Sequence, residues 1–334
     1  MNEPRILLAH GNGGRFMREL IGDLFARHLA NPALDTDADA VRLPDLAGDI
    51  LVTTDGFTVQ PLEFPGGNLG SLAVHGVVND LAVCGAEPRY FTLSAIIEEG
   101  LEVATLDRLI ASFAAAAREN GVAVAAGDTK VVRHGEGGGL YLSVTGIGVR
   151  RAATDLSMRR IAPGDVVLVS GSVGDHGIAV MLAREQFGLS GDLRSDSASV
   201  LPLARAVWDL PGLKFMRDPT RGGLATVSHE IAHATGCSVV LGQADVPVRG
   251  EVWSVCEMLG YDPYFLACEG RVVAVAAADA AAEVLARWRA LPGGEGAAII
   301  GRIEAGAARL ILETELGGRR VLEELEDDPL PRSC

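Results

Sequence analysis

Apolar positions recur along this chain in helical and strand periods that follow one another in a definite order. From Arg15 to Leu29, Phe16, Leu20, Leu24 and Leu29 fall on one stripe with Met17, Ile21 and Phe25 beside it, the spacing of an amphipathic helix. An apolar run then ends in Thr53-Thr54-Asp55-Gly56, and the pattern predicts a helix over 68–84, a strand over 90–97 and an alanine-rich helix over 103–119. Residues 122–126 read as a buried strand running into Gly127-Asp128-Thr129-Lys130, and 140–149 as a further strand after the loop 133–139. Two strands in succession at the end of this stretch suit an α+β sheet domain.

Charge and Pro-Gly punctuation interrupt the periodicity across 150–163, which marks a domain boundary. Beyond it the spacing predicts strands over 166–170, 265–268 and 272–276 and helices over 174–184 and 224–234. A last helix over 280–291 follows Asp279 as its candidate N-cap. The chain thus divides into residues 1–152, 153–322 and a tail, 323–334. The tail is acidic, contains Pro329 and Pro331, and ends on Cys334. Prolines remove backbone donors and favour an extended path, about 3.1 Å per residue, so the thiol reaches roughly 15–25 Å from the body. Taken by itself, such a terminus is more often frayed and inert.

Composition narrows the class. A chain of 334 residues with 48% hydrophobic content can bury a large core in two domains. The net charge of −15 argues against a nucleic-acid or anionic-membrane surface, so an anionic ligand needs a metal or helix ends to hold it. The five cysteines, Cys84, Cys237, Cys256, Cys268 and Cys334, form no CxxC pair and lie mostly in apolar runs, which reads as reduced, buried thiols. The first residues lack a basic flank before a long apolar core, and no apolar run approaches a membrane span. A cytoplasmic protein is expected.

Candidate chemistry comes from a few motifs. His229-Glu230-Ile231-Ala232-His233 fits the H-E-x-x-H pattern of zinc proteases, but Val239 stands where the longer pattern needs a third histidine. It is therefore expected to be a helix with Ile231 inward and its polar residues solvated. Neither a P-loop nor a strand-linked G-x-G-x-x-G occurs. Asp55, Asp80 and Asp128 each end an apolar element beside Gly or Asn. Each alone reads equally as a turn or cap residue; together they suit hard-oxygen coordination of Mg²⁺, through which an acidic protein can hold a polyphosphate. Lys130 would neutralise a transferring phosphoryl group.

These strings carry a family resemblance. TTDGFTVQPLEFPGGNLGSLAVHGVVNDLAVCGAEPRY, IIEEGL, GDTKVV, DPTRGGLATVSHEIA, CEMLGYDPYFLACEGRVV and the terminal PRSC are similar to the HypE family of hydrogenase expression/formation proteins, from His10 to Cys334. That family shares a superfamily with aminoimidazole ribonucleotide (AIR) synthetase, selenophosphate synthetase and thiamine-monophosphate kinase. The resemblance implies a two-domain, PurM-like fold, a homodimer with an ATP cleft between N-terminal domains, and ATP-dependent dehydration of an S-carbamoyl group on Cys334 to a thiocyanate. It also implies HypF as carbamoyl donor and the HypC-HypD complex as acceptor of the cyanide.

Residue by residue, it implies Cys334, Glu269 and Lys130 as catalytic and Asp55, Asp80 and Asp128 as Mg²⁺ ligands. Nucleotide contacts fall to these aspartates with Asn79, Gly127, Thr129, His10, Gly11 and Arg221. Glu269 sits between apolar stretches where burial raises its pKa toward a general base, or else it pairs with Arg271. Asp218 and Arg221 open a helix, which Asp218 caps in the plainer reading. Asp175 and His176 are structural or line a tail channel, and Asp39 is a weaker metal candidate. Asn12, His75 and Ser333 depart from the family pattern. A small-molecule kinase or synthetase of the same superfamily, and a non-catalytic carrier whose tail docks a partner, stay open.

Overall fold

The computed structural model describes residues 4–12, 14–36, 38, 40–44, 46–150, 156–184 and 192–325. The first amphipathic segment forms α1 (Gly14–Leu20), a π-helical stretch (Ile21–Ala26) and a final turn (Arg27–Leu29). Leu20, Leu24, Phe25 and Leu29 are buried as the stripe requires, but Phe16 is 43% exposed.

Alternating burial along β1 (Ile50–Phe57), β2 (Ala86–Glu98), β3 (Ala123–Val132) and β4 (Leu140–Arg150) builds a four-stranded sheet in the order β1-β4-β2-β3. Only the β2–β3 pair is parallel. The predicted strand at 122–126 runs on through Gly127-Asp128-Thr129-Lys130, so Asp128 lies within a strand rather than on a loop. Phe57, Phe91, Leu93, Ile97, Leu142 and Val144 face α2 (Leu69–Val83) and α3 (Val103–Glu119) in one core. Asn68 caps α2 by accepting the Ser71 N–H at 3.1 Å, and the Ser71 hydroxyl oxygen accepts the Asn68 N–H at 3.2 Å. The opposite sheet face leaves Ile50, Val52 and Ile96 exposed at 53%, 65% and 37%.

The second sheet comprises β5 (Val166–Val169), β6 (Leu213–Arg217), β7 (Ser238–Gly242), β8 (Val273–Ala276), β9 (Ala298–Glu304), β10 (Arg309–Glu313) and β11 (Arg319–Leu322). Its order is β11-β10-β7-β9-β5-β8-β6, antiparallel except for β10 beside β7. Helices α4 (Asp175–Ala183), α5 (Leu201–Val207), α6 (Gly223–Thr235), α7 (Gly250–Leu259) and α8 (Ala281–Arg289) accompany it. No strand forms over 265–268; a 3₁₀ turn (Pro263–Phe265) leads into an irregular stretch that packs against the start of α6. Asp279 does not cap α8, whose N-cap is Ala280 with no side-chain hydrogen bond. Cys256 and Cys268 are buried and Cys237 half-buried, but Cys84 is exposed, because its helix ends at a cleft. Among the described residues no helix is long and apolar enough to cross a membrane.

The two domains meet along α2, which is apolar all round because it has the first sheet on one side and α5 on the other. Trp208 donates its indole N–H to the Ala82 carbonyl at 2.9 Å, and Arg205 pairs with Glu87 at 2.5 Å. Asn79, 1% exposed, spends its whole amide on this seam. Its Oδ1 accepts the Val200 N–H at 2.8 Å, and its Nδ2 donates to the Ala198 and Glu269 carbonyls at 3.1 and 3.4 Å. Deleting one partner of such a buried set leaves the others unpaired, at about 1–3 kcal/mol per group. Asn79→Ala should therefore lower the unfolding free energy by about 2–4 kcal/mol in urea titration. A loss below about 0.5 kcal/mol would show that the amide does not hold the seam.

Candidate active site

Four carboxylates from four elements converge beside that seam. Asp55 comes from β1, Asp80 from α2, Asp218 from the residue after β6, and Glu269 from the irregular stretch before β8. With Thr220 and Arg221 they line a cavity of about 40 Å³. This opens into a cleft of about 410 Å³ bounded by Thr53, Thr54, Cys84 and Arg217. The loop between Asp218 and α6 reaches its helix through two left-handed glycines, Gly222 (φ +69°) and Gly223 (φ +59°). A Cβ on Gly223 would stand 2.4 Å from the Leu266 carbonyl oxygen, so only glycine lets the helix start this close. Glu269 is fixed through its backbone. Its N–H donates to Asp196 Oδ1 at 3.1 Å, and its carbonyl accepts from Ala198 at 3.3 Å. Asp218 does not cap α6, whose N-cap is Gly222; it points into the cluster instead.

The electrostatics are those of a site short of positive charge. Burial holds the Asp80 carboxyl above its ordinary pKa, and the nearby Asp55 adds to the rise; a hydrogen bond from the Thr53 hydroxyl at 2.7 Å works against it. Asp218 is pushed up to about 7, by burial first and by Asp80 second. Glu269, 2% exposed, is raised well above the carboxylate range by burial and then by Asp218, Asp196, Asp55 and Asp80. Arg271 does not relieve it, because its guanidinium serves Asp175 and Asp196, each at 3.5 Å, and donates to the Ser172 carbonyl at 2.8 Å. Arg221 lies 3.6 Å from Asp55, and Arg217 turns to Glu230 at 3.5 Å. Glu269 thus holds a proton more tightly than the partial burial expected from the sequence would make it.

A second cluster lies on the far edge of the first sheet. Lys130 and Asp128 face each other at 3.8 Å on β3, both well exposed, and the buried Thr129 lies between them in sequence. The backbone of Gly11 is packed so tightly on this strand that a Cβ there would meet Val131 N at 2.6 Å; His10 precedes it at the end of a 3₁₀ turn. Gly127, Asp128 and Thr129 also line an apolar cavity of about 100 Å³ under Met17, Ile21 and Phe25. The sheet order puts Asp55 and Asp128 on opposite edges, three strand steps or roughly 14 Å apart. A single chain therefore brings Asp55 and Asp80 together but leaves Asp128 and Lys130 away from them and from Glu269.

Other expectations resolve individually. Asp175 is fully buried, accepting from the Ser172 hydroxyl and paired with Arg249 at 3.1 Å. The buried His176 ring meets the Ser195 hydroxyl oxygen at 2.8 Å, so both residues hold structure. Burial takes His75 down to about 4, leaving it neutral beside Ser197. Asp39, Ser333 and Cys334 lie outside the described residues. Sequence reasoning passed over Asp218 as a cluster member; the available signal was an acid placed directly after a strand and before Pro-Thr-Arg-Gly-Gly.

Fold and site together define a class. Residues 35–150 match the family described as AIR synthase related protein, N-terminal domain, and residues 162–312 match its C-terminal domain. Within that class the similarity is specific. A protein named carbamoyl dehydratase HypE from Azotobacter vinelandii is 44% identical over 329 residues, covering 98% of this chain and 96% of its own. A crystal structure of a hydrogenase maturation protein HypE in complex with ATP superposes with a TM-score of 0.93 at 43% identity, covering 98% of this chain and 99% of that one. Another relative, in a HypE-HypF complex, is 40% identical with a TM-score of 0.81, covering 92% of this chain and 99% of its own. The chain belongs to the HypE family.

The raised pKa of Asp218 has a signed consequence. Its folded value, about 7, lies above the unfolded value, so the stability tied to its proton is complete below about pH 4 and is lost as pH rises through 7. Asp218→Asn cannot ionise and escapes that loss. Thermal melts should show the variant a few degrees above wild type at pH 8, with the gap closing toward pH 4. A gap independent of pH would mean that Asp218 is not strained by its neighbours.

Proposed function

We propose that this chain dehydrates an S-carbamoyl group on its own Cys334 to a thiocyanate at the expense of ATP. The reaction would supply the cyanide ligand of a hydrogenase iron centre. The observation that carries this reading is the buried, positive-charge-poor carboxylate cluster, in a chain matched end to end by proteins named carbamoyl dehydratase. HypF would place the carbamoyl group and HypC-HypD would receive the product, the first supported by the complex formed by a relative.

The residues fit the chemistry. A thiocarbamate oxygen is a poor leaving group, so transfer of the γ-phosphoryl group to it, with release of ADP and of one N–H proton to solvent, makes it one. Departure of phosphate with loss of the remaining N–H proton leaves a nitrile carbon on sulfur. Glu269 takes that proton: a carboxylate whose proton affinity is raised by burial and neighbouring acids is, when ionised, a stronger base than an ordinary one. Tethering the substrate to the same chain makes the encounter intramolecular, worth about 7–11 kcal/mol when well oriented. Asp55 and Asp80, with their excess of hard oxygens, fit Mg²⁺, which when bound supplies positive charge against the transferring phosphoryl group. Arg221 adds a guanidinium for phosphate.

Asp128 and Lys130 enter this scheme from a second copy of the chain. The exposed face carrying Ile50, Val52 and Ile96, together with the unpaired edge of β1, supports pairing of two such sheets. His10, Gly11, Gly127 and Thr129 would then close over the nucleotide from the same side, and Asn79 contributes by holding Glu269 in place.

Incubating the protein with HypF, carbamoyl phosphate, ATP and Mg²⁺ should add a carbamoyl group to the C-terminal peptide, followed by an ATP-dependent loss of one water, as read by intact-mass spectrometry. An unmodified Cys334 with active HypF would end the proposal. Asp80→Asn and Asp128→Asn should each abolish turnover, and an equimolar remixed sample should recover about a quarter of wild-type activity, because half the dimers then hold one intact site. Absence of recovery would place the site within one chain.

A further inference from the structure

The H-E-x-x-H segment lies in α6, and the structure brings to it a ligand that its spacing alone does not supply. Ile231 points inward with no exposed surface, but His229 is also buried, at 6% exposure, against the expectation of solvated polar residues. Its Nε2 is buried and has no hydrogen-bond partner among the described residues. The ring is otherwise held by a hydrogen bond with the Leu322 backbone. One turn along, His233 turns its Nε2 to Glu324 Oε2 at 3.4 Å. One donor atom from each of His229, His233 and Glu324 lies within 4.8 Å of the other two.

We propose that His229, His233 and Glu324 bind a zinc-type transition dication that clasps the root of the C-terminal tail to α6. Two imidazoles at i and i+4 and one carboxylate are a donor set that Zn²⁺ accepts, with bonds of about 2.0–2.2 Å. Such bonds put tetrahedral ligand atoms roughly 3.3–3.5 Å apart. His233 and Glu324 already stand 3.4 Å apart, and both are exposed enough to close on the fixed His229. Binding also gives the orphaned His229 nitrogen its partner. The site is not a protease centre: Glu230, the base of that motif, is paired with Arg217 at 3.5 Å. Glu324 is the second residue after the last strand and stands ten residues before Cys334. A cation here therefore fixes the point from which the thiol-bearing segment departs.

The test uses the full chain with Mg²⁺ in excess. Equilibrium dialysis should find one Zn²⁺ per chain, and Co²⁺ in its place should show d–d bands without the charge-transfer band of a thiolate, which separates this site from the cysteines. His233→Ala and Glu324→Gln, both at exposed positions, should each weaken Zn²⁺ binding by more than about tenfold, the loss that removing even an outer-shell partner produces. Zn²⁺ should slow amide hydrogen exchange over residues 319–325 in wild type and in neither variant. Binding that survives either substitution, a thiolate band, or unchanged exchange over 319–325 overturns the proposal.

Discussion

The arrangement depends on two consecutive residues of one helix. Asn79 ties the backbones of Ala198, Val200 and Glu269 to α2, and Asp80, the next residue, faces the cleft. A change of about 100° per residue separates the two directions, so the side that docks the second domain also sets where the carboxylate points. Glu269 is placed by the same contact, through its carbonyl, and again through the bond from its N–H to Asp196. Site geometry is thereby a by-product of domain docking. A substitution that loosened the seam would move the acid from the second domain relative to those of the first.

Burying like charges together costs free energy, and this cluster shows where the cost is carried. Asp218 and Glu269 carry it as raised proton affinity: burial and the surrounding acids push both up, and for Asp218 they outweigh what Arg217 returns. Two arginines near four carboxylates leave room for added positive charge, whereas the neighbouring set of Asp175, Asp196, Arg249 and Arg271 is internally balanced. That contrast separates a structural ion network from a binding site.

Much of this could be read from the chain, and the failures have physical reasons. The helix at 103–119 and the strand at 140–150 stood out because their apolar positions repeat cleanly, and the helix at 69–83 because a long apolar run follows Asn68 as a cap. Gly127-Asp128-Thr129-Lys130 looked like a loop since glycine and polar residues mark turns, yet pairing with β2 overrides that local preference. Residues 265–268 looked like a strand because a buried irregular segment is as apolar as a buried strand. The aspartates were legible as types but not as a set, since sheet order, which separates Asp55 from Asp128, is set by long-range pairing. His229 shows the converse: its burial depends on β11 and the residues after it, nearly a hundred positions downstream, which no local pattern reveals.

The same separation constrains how the proposed reaction is assembled. Rigid pairing of β1, β4, β2 and β3 keeps Asp55 and Asp128 on opposite edges, and no side-chain rotation spans that gap. A chain that uses both, as proposed, would bring up a second copy, and the open sheet face carrying Ile50, Val52 and Ile96 offers apolar surface for that pairing. Glu269 bears on the order of events in the proposed reaction: burial and the acids around it raise its hold on a proton, and added positive charge lowers that hold. Nucleotide with its cation would therefore precede productive entry of the tail. Under the proposed reaction, a chain carrying its own thiol substrate would then stay idle until ATP is in place.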